Sequence, residues 1–301
     1  MMGVVACANR DNAVRSFEVS TRDVHRFVDI MHRNESDWDC SALRPYFDSA
    51  SAGLRAYDKK FHVGVDELCS ALKSQPARYE KIGALLPALD SAATQVRAVF
   101  ARYRTVDPDA RMPDAYFVVG NGIAAGTTTR GPAPRILVGV ELIHSTTGLT
   151  WTLSHELAHT QQSYPMWGSL TGGPMFLRAT VLRQAIVEGS ADLVAELLTG
   201  LPKRDTYAEA HEAELWRDFQ RDMDSRDYRR WFYNGRDSVG RAGRPPDLGY
   251  WMGYRIARSF YFRRSDSAAA LHDILTIRDF HDFLARSGYD GGRPAPSTKP
   301  L

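Results

Sequence analysis

The residues best able to do chemistry stand together in His155-Glu156-Leu157-Ala158-His159. Residues at i and i+4 share one helix face, so both imidazoles can reach a single cation, and Glu156 is carried beside them. Two neutral ring nitrogens from one rigid helix suit zinc, which binds imidazole well in a tetrahedral site, so one Zn2+ ion is the expected cofactor. A catalytic zinc needs a third protein ligand and keeps a position open for water. One arrangement takes that ligand from the last histidine of H-E-x-x-H-x-x-G-x-x-H. Here Gln162 stands in place of the glycine and Pro165 in place of the histidine, which excludes it. The other common solution is a glutamate from a second helix, and Glu188-Gly189-Ser190-Ala191-Asp192 supplies one. Asp192 lies one turn beyond Glu188, placed to accept the second N–H of a ligating histidine and fix its tautomer. The small side chains at 189–191 are expected to let this helix approach the histidine helix.

These groups need elements to hold them. Trp151, Leu153 and Leu157 give the histidine segment a helical spacing, and a second helix over about 175–198 is closed by Gly200 and Pro202. Helical spacing runs from about 147 to 286, with breaks at 172–174, 200–202 and 235–249. Upstream, residues 12–105 are also helical in pattern. Ser20-Thr21 caps a first amphipathic helix, and a longer one after Pro76 is expected to kink or split at Pro87. Between these halves, 115–119 and 136–140 are β-branched and aromatic runs, read as two strands joined by a long loop. The expected fold is a helix-rich α+β protein with one small sheet. Its predicted parts are a flexible stretch 1–15, one catalytic unit 16–287 (helical N-terminal lobe 16–105, sheet and metal region 106–287) and a disordered tail 288–301.

Composition narrows the partners. The 301 residues carry 38 Lys plus Arg against 36 Asp plus Glu, a net charge of +2, which argues against a nucleic-acid partner. With 44% hydrophobic and 11% aromatic residues, the chain can bury a sizeable core. No run is long and apolar enough for a transmembrane segment. Val4-Val5-Ala6-Cys7 has the form of the end of a bacterial lipoprotein signal. A start codon upstream would make Cys7 a lipid anchor in the cell envelope or periplasm; otherwise the reading is cytoplasmic. Cys40 and Cys69 suit a bridge in an oxidising space and buried thiols in a reducing one.

The two motifs, His155-Glu156-x-x-His159 and Glu188-x-x-x-Asp192, resemble the gluzincins, the glutamate-ligand zinc metallopeptidases of the thermolysin-like clan. More narrowly, three stretches resemble bacterial predicted zinc-dependent proteases related to gliding-motility lipoproteins. They are Tyr116-Phe117-Val118-Val119-Gly120 with Gly126-Thr127-Thr128, then Val138-Gly139-Val140-Glu141, and Gly249-Tyr250-Trp251-Met252-Gly253-Tyr254-Arg255-Ile256. The likeness covers residues 16–285. It departs in the interval between His159 and Glu188, which carries a Gly/Pro-rich insertion over 164–174. The resemblance implies a zincin-like fold and a peptide or protein substrate aligned along a sheet edge, either strand serving. The alternative it raises is a non-catalytic metal-binding lipoprotein or scaffold of the cell envelope, which would have no need of Glu156. On the peptidase reading His155, His159 and Glu188 hold zinc and Glu156 is the general base. Tyr250 and Tyr254, at i and i+4, are the expected oxyanion donors, with His211 and Arg255 behind them. Glu141 could meet a substrate amine, although a solvated strand-end acid is the better reading.

Other signals carry less. Gly120-Asn121-Gly122-Ile123-Ala124-Ala125-Gly126 with Glu141 mimics a dinucleotide fingerprint, but 127–135 holds Pro132 and Pro134 and cannot supply the crossover helix a parallel pair needs. The basic aromatic stretch 226–236 is interleaved with Asp218, Asp222, Asp224 and Asp227, which reads as an ion-paired helix face. His25, His32, His62, His144, His272 and His281 lack ligand spacing and are read as structural. Ser154 lacks the elbow of a nucleophile and is read as helix packing.

Overall fold

The computed structural model describes residues 16–34, 39–129, 133–143, 148–164, 179–235 and 243–292. Cys7, His144 and most of the insertion 164–174 lie outside them.

Six helices precede most of the sheet. After β1 (Val19–Ser20) come α1 (Arg22–Arg33), α2 (Arg44–Asp48), α3 (Ala52–Phe61), α4 (Val65–Ser74), α5 (Pro76–Glu80) and α6 (Ile82–Val106). Thr21 stands at the N-cap of α1 but makes no capping bond; its hydroxyl donates to Asp90 at 2.6 Å instead. The chain breaks at Lys81, not at Pro87, which lies inside α6. The residue whose carbonyl a proline at that position would crowd is Gly83, four residues earlier and without a side chain. Cys40 and Cys69 form a disulfide with a Cα–Cα distance of 5.4 Å, which settles the alternative that spacing left open.

The sheet has four strands in the order β1-β2-β4-β3, with β2 (Asp114–Val118), β3 (Gly126–Thr129) and β4 (Arg135–Gly139). The two expected strands are present to within a residue, but β1 and β3 were not anticipated. β3 is a Gly-Thr-Thr-Thr run of half-buried residues, with no alternation to mark it. β2 and β4 pair in parallel, Tyr116 against Leu137 and Phe117 against Val138, with no helix between them among the described residues. The chain returns instead through β3, antiparallel to β4 on its far side, so the premise used against a parallel pair fails.

After a single 3-10 turn come α7 (Leu149–Gln161) and α8 (Val181–Thr199), then α9 (Thr206–Ala210), α10 (Glu212–Asp222), α11 (Leu248–Arg263), α12 (Ser267–Leu275) and α13 (Phe280–Ser287). α8 begins at Val181, later than the expected 175, with Thr180 accepting from the Arg183 N–H as its cap; residues 175–178 lie outside the described residues. It ends as expected at Gly200, whose φ of 74° is the left-handed turn glycine favours. Residues 223–235 are turns rather than a helix, although the expected ion pairs form between Arg230 and both Asp218 and Asp222. The chain stays packed past 288: Tyr289 is buried and donates to Glu212 at 2.6 Å, while 293–301 lie outside the described residues.

Two apolar cores meet at α8. Leu54, Phe117, Leu137, Leu153 and Leu157 belong to one, together with Ala191 and Val194 of α8. The other gathers Leu182, Ile186, Leu193, Trp231 and Phe260. A helix buried on both sides has little room for charge, yet α8 carries Glu188, Asp192 and Glu196 at four-residue spacing, all buried. Buried carboxylates require partners, and those partners define the site.

Candidate metal centre

α7 presents His155 and His159 from adjacent turns, and α8 brings Glu188 to them. His155 Nε2 lies 3.0 Å from His159 Nε2, and Glu188 Oε2 lies 3.2 Å from His159 Nε2 and 3.4 Å from His155 Nε2. Ligands about 2.0–2.1 Å from a tetrahedral ion would stand about 3.3 Å apart, so this triangle has the size of one face of such a site.

The surrounding hydrogen bonds settle which ring nitrogens face the centre. His155 Nδ1 is 2.7 Å from Asp192 Oδ1, a carboxylate that can only accept. His159 Nδ1 is 2.8 Å from Gln162 Oε1, and the amide cannot be reversed because its Nε2 donates to the Val187 carbonyl at 2.8 Å. Both rings therefore carry a proton on Nδ1 and turn Nε2 inward. Glu188 has its second oxygen occupied by Gln184 Nε2 at 2.9 Å. Three electron-rich atoms converge with no protein donor between them, an arrangement that a cation resolves. His155, His159 and Glu188 could thus hold a metal ion.

Without metal, a proton fills that role. Burial opposes a charged His155, but the hydrogen bonds and charges of Asp192 and Glu188 outweigh it and push the imidazole up to about 10. Burial likewise opposes a charged Glu188, and the His159 charge with the histidine hydrogen bonds overrides it, holding the carboxyl well below its usual range.

The cluster opens into a cavity of about 420 Å³ lined by Glu156, Gln184, Tyr233, Tyr250 and β3. Glu156 has no hydrogen-bond or ion-pair partner among the described residues and faces this space. A Cβ placed on Gly126 would come within 3.2 Å of Glu156 Oε1, so β3 runs directly beside that carboxylate. β3 is also an edge strand. Gly139 N–H donates to Ala125 O at 3.1 Å, and by the alternation of an antiparallel pair Gly126 and Thr128 turn their backbone groups outward. Lys60 Nζ donates to the Thr128 carbonyl at 3.1 Å. The strands considered for this edge, β2 and β4, are both interior.

Of the expected site residues, His155, Glu156, His159, Glu188, Asp192 and Tyr250 are brought together. Tyr250 lies near-parallel to the His155 ring, 6.3 Å between centroids, and lines the cavity together with Tyr233. Burial and the Glu188 charge push its hydroxyl well above the ordinary range, so it stays a proton donor. Tyr254 is not in this cavity. Four residues of helix advance about 6 Å, which carries it to Glu196, where its hydroxyl donates at 2.7 Å. Arg255 pairs with buried Glu212, and His211 stacks on Tyr207 with Nδ1 at 2.8 Å from the Tyr207 carbonyl; neither reaches the cluster. Glu141 is neither solvated nor near the cavity. Fully buried, it accepts the Gly120 and Gly122 N–H groups at 3.0 Å each, so the glycine loop cradles an internal carboxylate instead of a phosphate. The small residues of α8 also divide their roles. Gly189 faces α11, where a Cβ would lie 1.9 Å from Tyr254 N, while Ala191 packs in the core that holds α7.

Four contributors were missed. Gln184 sits four residues before Glu188 on the same face, and Gln162 closes α7 three residues after His159, so both were legible as helix neighbours. Lys203 and Tyr233 arrive from turns, and local spacing gives no sign of them. Tyr233 has a φ of 56° and its hydroxyl accepts from Gln184 at 2.8 Å.

No family model, no curated protein and no solved structure matches this chain. Among the described residues, no helix is long and apolar enough to cross a membrane.

Proposed function

We propose that this protein is a zinc-dependent peptidase of zincin-like architecture, related in its site to the gluzincins. The observation that carries the reading is the position of Glu156: a carboxylate without a partner among the described residues, carried by the same helix as the two histidines, facing a cavity bordered by a strand edge. A site serving stability alone is usually closed by four protein ligands and has no use for such a carboxylate.

When bound by His155, His159 and Glu188, zinc supplies Lewis acidity, acidifying water and polarising a carbonyl. The remaining work falls to the chain. Asp192 and Gln162 orient the two imidazoles, and Gln184 holds the second oxygen of Glu188. Glu156 takes the proton of the attacking water and passes it to the leaving amine, a role worth about 10²- to 10⁴-fold. Tyr250 donates its hydroxyl hydrogen to the developing oxyanion. The outward backbone groups of Gly126 and the outward N–H of Thr128 pair with an extended substrate by strand addition, the Thr128 carbonyl being held by Lys60.

Metal analysis of the purified protein, with digestion of a broad peptide library by wild type and Glu156→Gln, tests this. Stoichiometric zinc with cleavage abolished in the variant supports it. Zinc in both proteins with no cleavage by either favours a metal-binding scaffold, and a wild type without zinc removes the ligand assignment.

A further inference from the structure

Beyond the ligands and Asp192 stands one more charged residue that the reaction does not require. We propose that Lys203 is a positioning residue for the metal cluster, holding the Asp192 carboxylate in the orientation that fixes His155. This inference rests on the reading of His155, His159 and Glu188 as metal ligands.

Asp192 is 1% exposed, so each of its oxygens needs a partner inside the protein. Oδ1 takes His155 Nδ1 at 2.7 Å. Among the described residues Oδ2 accepts no hydrogen bond, and its contact is the ion pair with the Lys203 ammonium at 2.8 Å. A carboxylate held at one oxygen turns about its terminal bond; one held at both keeps a fixed plane. Lys203 thereby transmits a fixed plane to Asp192, Asp192 a fixed tautomer and tilt to His155, and His155 a fixed Nε2 direction to the ion.

The ammonium is itself located by more than its ion pair. It lies 5.5 Å from the Trp151 ring centroid and 5.7 Å from that of Tyr250. Both rings lie near-parallel to the His155 imidazole, with interplanar angles of 27° and 24°. One cation thus contacts three of the groups that surround His155. Lys203 reaches them because Gly200 ends α8 in a left-handed turn and sends the chain back toward Asp192.

The sign of the effect separates positioning from charge. A positive group near a cation site weakens binding by repulsion, so on charge alone its removal would tighten binding. Positioning predicts the reverse. In the full-length protein, Lys203→Met is expected to weaken Zn2+ affinity about tenfold, measured by competition with a chromophoric chelator, and to alter the visible spectrum of the Co2+-loaded protein. Lys203→Arg is expected to recover most of the affinity, and metal-free Lys203→Met to keep the wild-type far-UV circular dichroism. Should Lys203→Met not fold, Lys203→Gln takes its place with the same expectations. Zn2+ affinity in the neutral variant equal to or tighter than wild type overturns the proposal. A wild type that binds no Zn2+ overturns it together with the ligand assignment. A wild type that binds Zn2+ but cleaves nothing removes the peptidase reading alone, and the affinity comparison still decides the role of Lys203.

Discussion

His155 and His159 turn their Nε2 atoms toward each other across 3.0 Å while each gives its Nδ1 to a fixed acceptor, Asp192 for one and Gln162 for the other. Two imidazoles that had only to satisfy their hydrogen bonds would avoid this contact. The pair is therefore arranged around something positive, and the first prediction concerns what that is.

Metal binding should release protons. Because Asp192 and Glu188 push metal-free His155 up to about 10, the site holds a proton near pH 7 that a divalent ion must displace. Because the Glu188 charge outweighs burial and raises His159 as well, calorimetric titration with Zn2+ in buffers of different ionisation enthalpy should show about one to two protons released per ion at pH 7. The stability of the metal-free protein follows the same logic. A histidine raised from 6.5 contributes stability that is fully present below about pH 6.5 and is lost as pH rises through about 10. The depressed Glu188 contributes above its ordinary value near 4.5 and loses that contribution as pH falls well below it. Urea midpoints of the metal-free protein should thus be favoured by this cluster between roughly pH 4.5 and 6.5 and decline toward pH 10.

Glu156→Gln should keep Zn2+ affinity within about threefold, because Glu156 is not a ligand, while kcat on a peptide substrate falls about 10²- to 10⁴-fold. A variant that loses the metal as well would place Glu156 in the coordination sphere and remove it as the base.

The two tyrosines of α11 should separate. Tyr250→Phe removes a donor facing the cavity and should lower kcat about 10²- to 10³-fold with metal content unchanged. Tyr254→Phe loses only the hydrogen bond to Glu196. It should leave kcat intact and cost about 1–2 kcal/mol in urea unfolding, since the bond to a buried carboxylate is lost.

Gly253→Ala should be poorly tolerated. A Cβ there would lie 1.6 Å from the Ala185 carbonyl oxygen, and that atom belongs to α8 backbone that cannot turn aside. Separating α8 from α11 should cost about 3 kcal/mol or more by chemical denaturation and loosen the helix that carries Glu188. Wild-type stability in Gly253→Ala would show that the crossing is not this close.

Reduction of the Cys40–Cys69 disulfide, which closes a sequence separation of 29 residues, should lower stability by about 3–4 kcal/mol. Cys69→Ser should show the same loss under oxidising conditions, with Zn2+ affinity unchanged because the bridge lies in the α4 region, remote in sequence from the ligands.

Much of the site was legible because helix geometry is local. Four-residue spacing put His155 with His159 and Glu188 with Asp192, and the same rule reaches Gln184. It misled at Tyr254, since two residues on one face of α11 stand about 6 Å apart along the helix and meet different neighbours, the cavity for Tyr250 and Glu196 for Tyr254. Glu141 shows the limit for single charges. Its place at a strand end suggested solvent, but the glycine loop that looked like a phosphate cradle closes on that carboxylate and removes it from water. In the sheet, β2 and β4 announced themselves by β-branched and aromatic content. β3 did not, because an edge strand of glycine and threonines resembles a loop until its partner is known.

The sequence by itself determined the two histidines that could hold a metal, the carboxylate beside them, the glutamate helix and the helix-rich α+β character, all consequences of residue type and short-range periodicity. Tertiary structure alone decided which strand borders the cavity, which tyrosine enters it, how Cys40 meets Cys69 and that Lys203 stands behind Asp192. Those relationships join positions separated by turns, where the chain direction is set by packing two cores against α8, and no local spacing encodes a distance across such a turn.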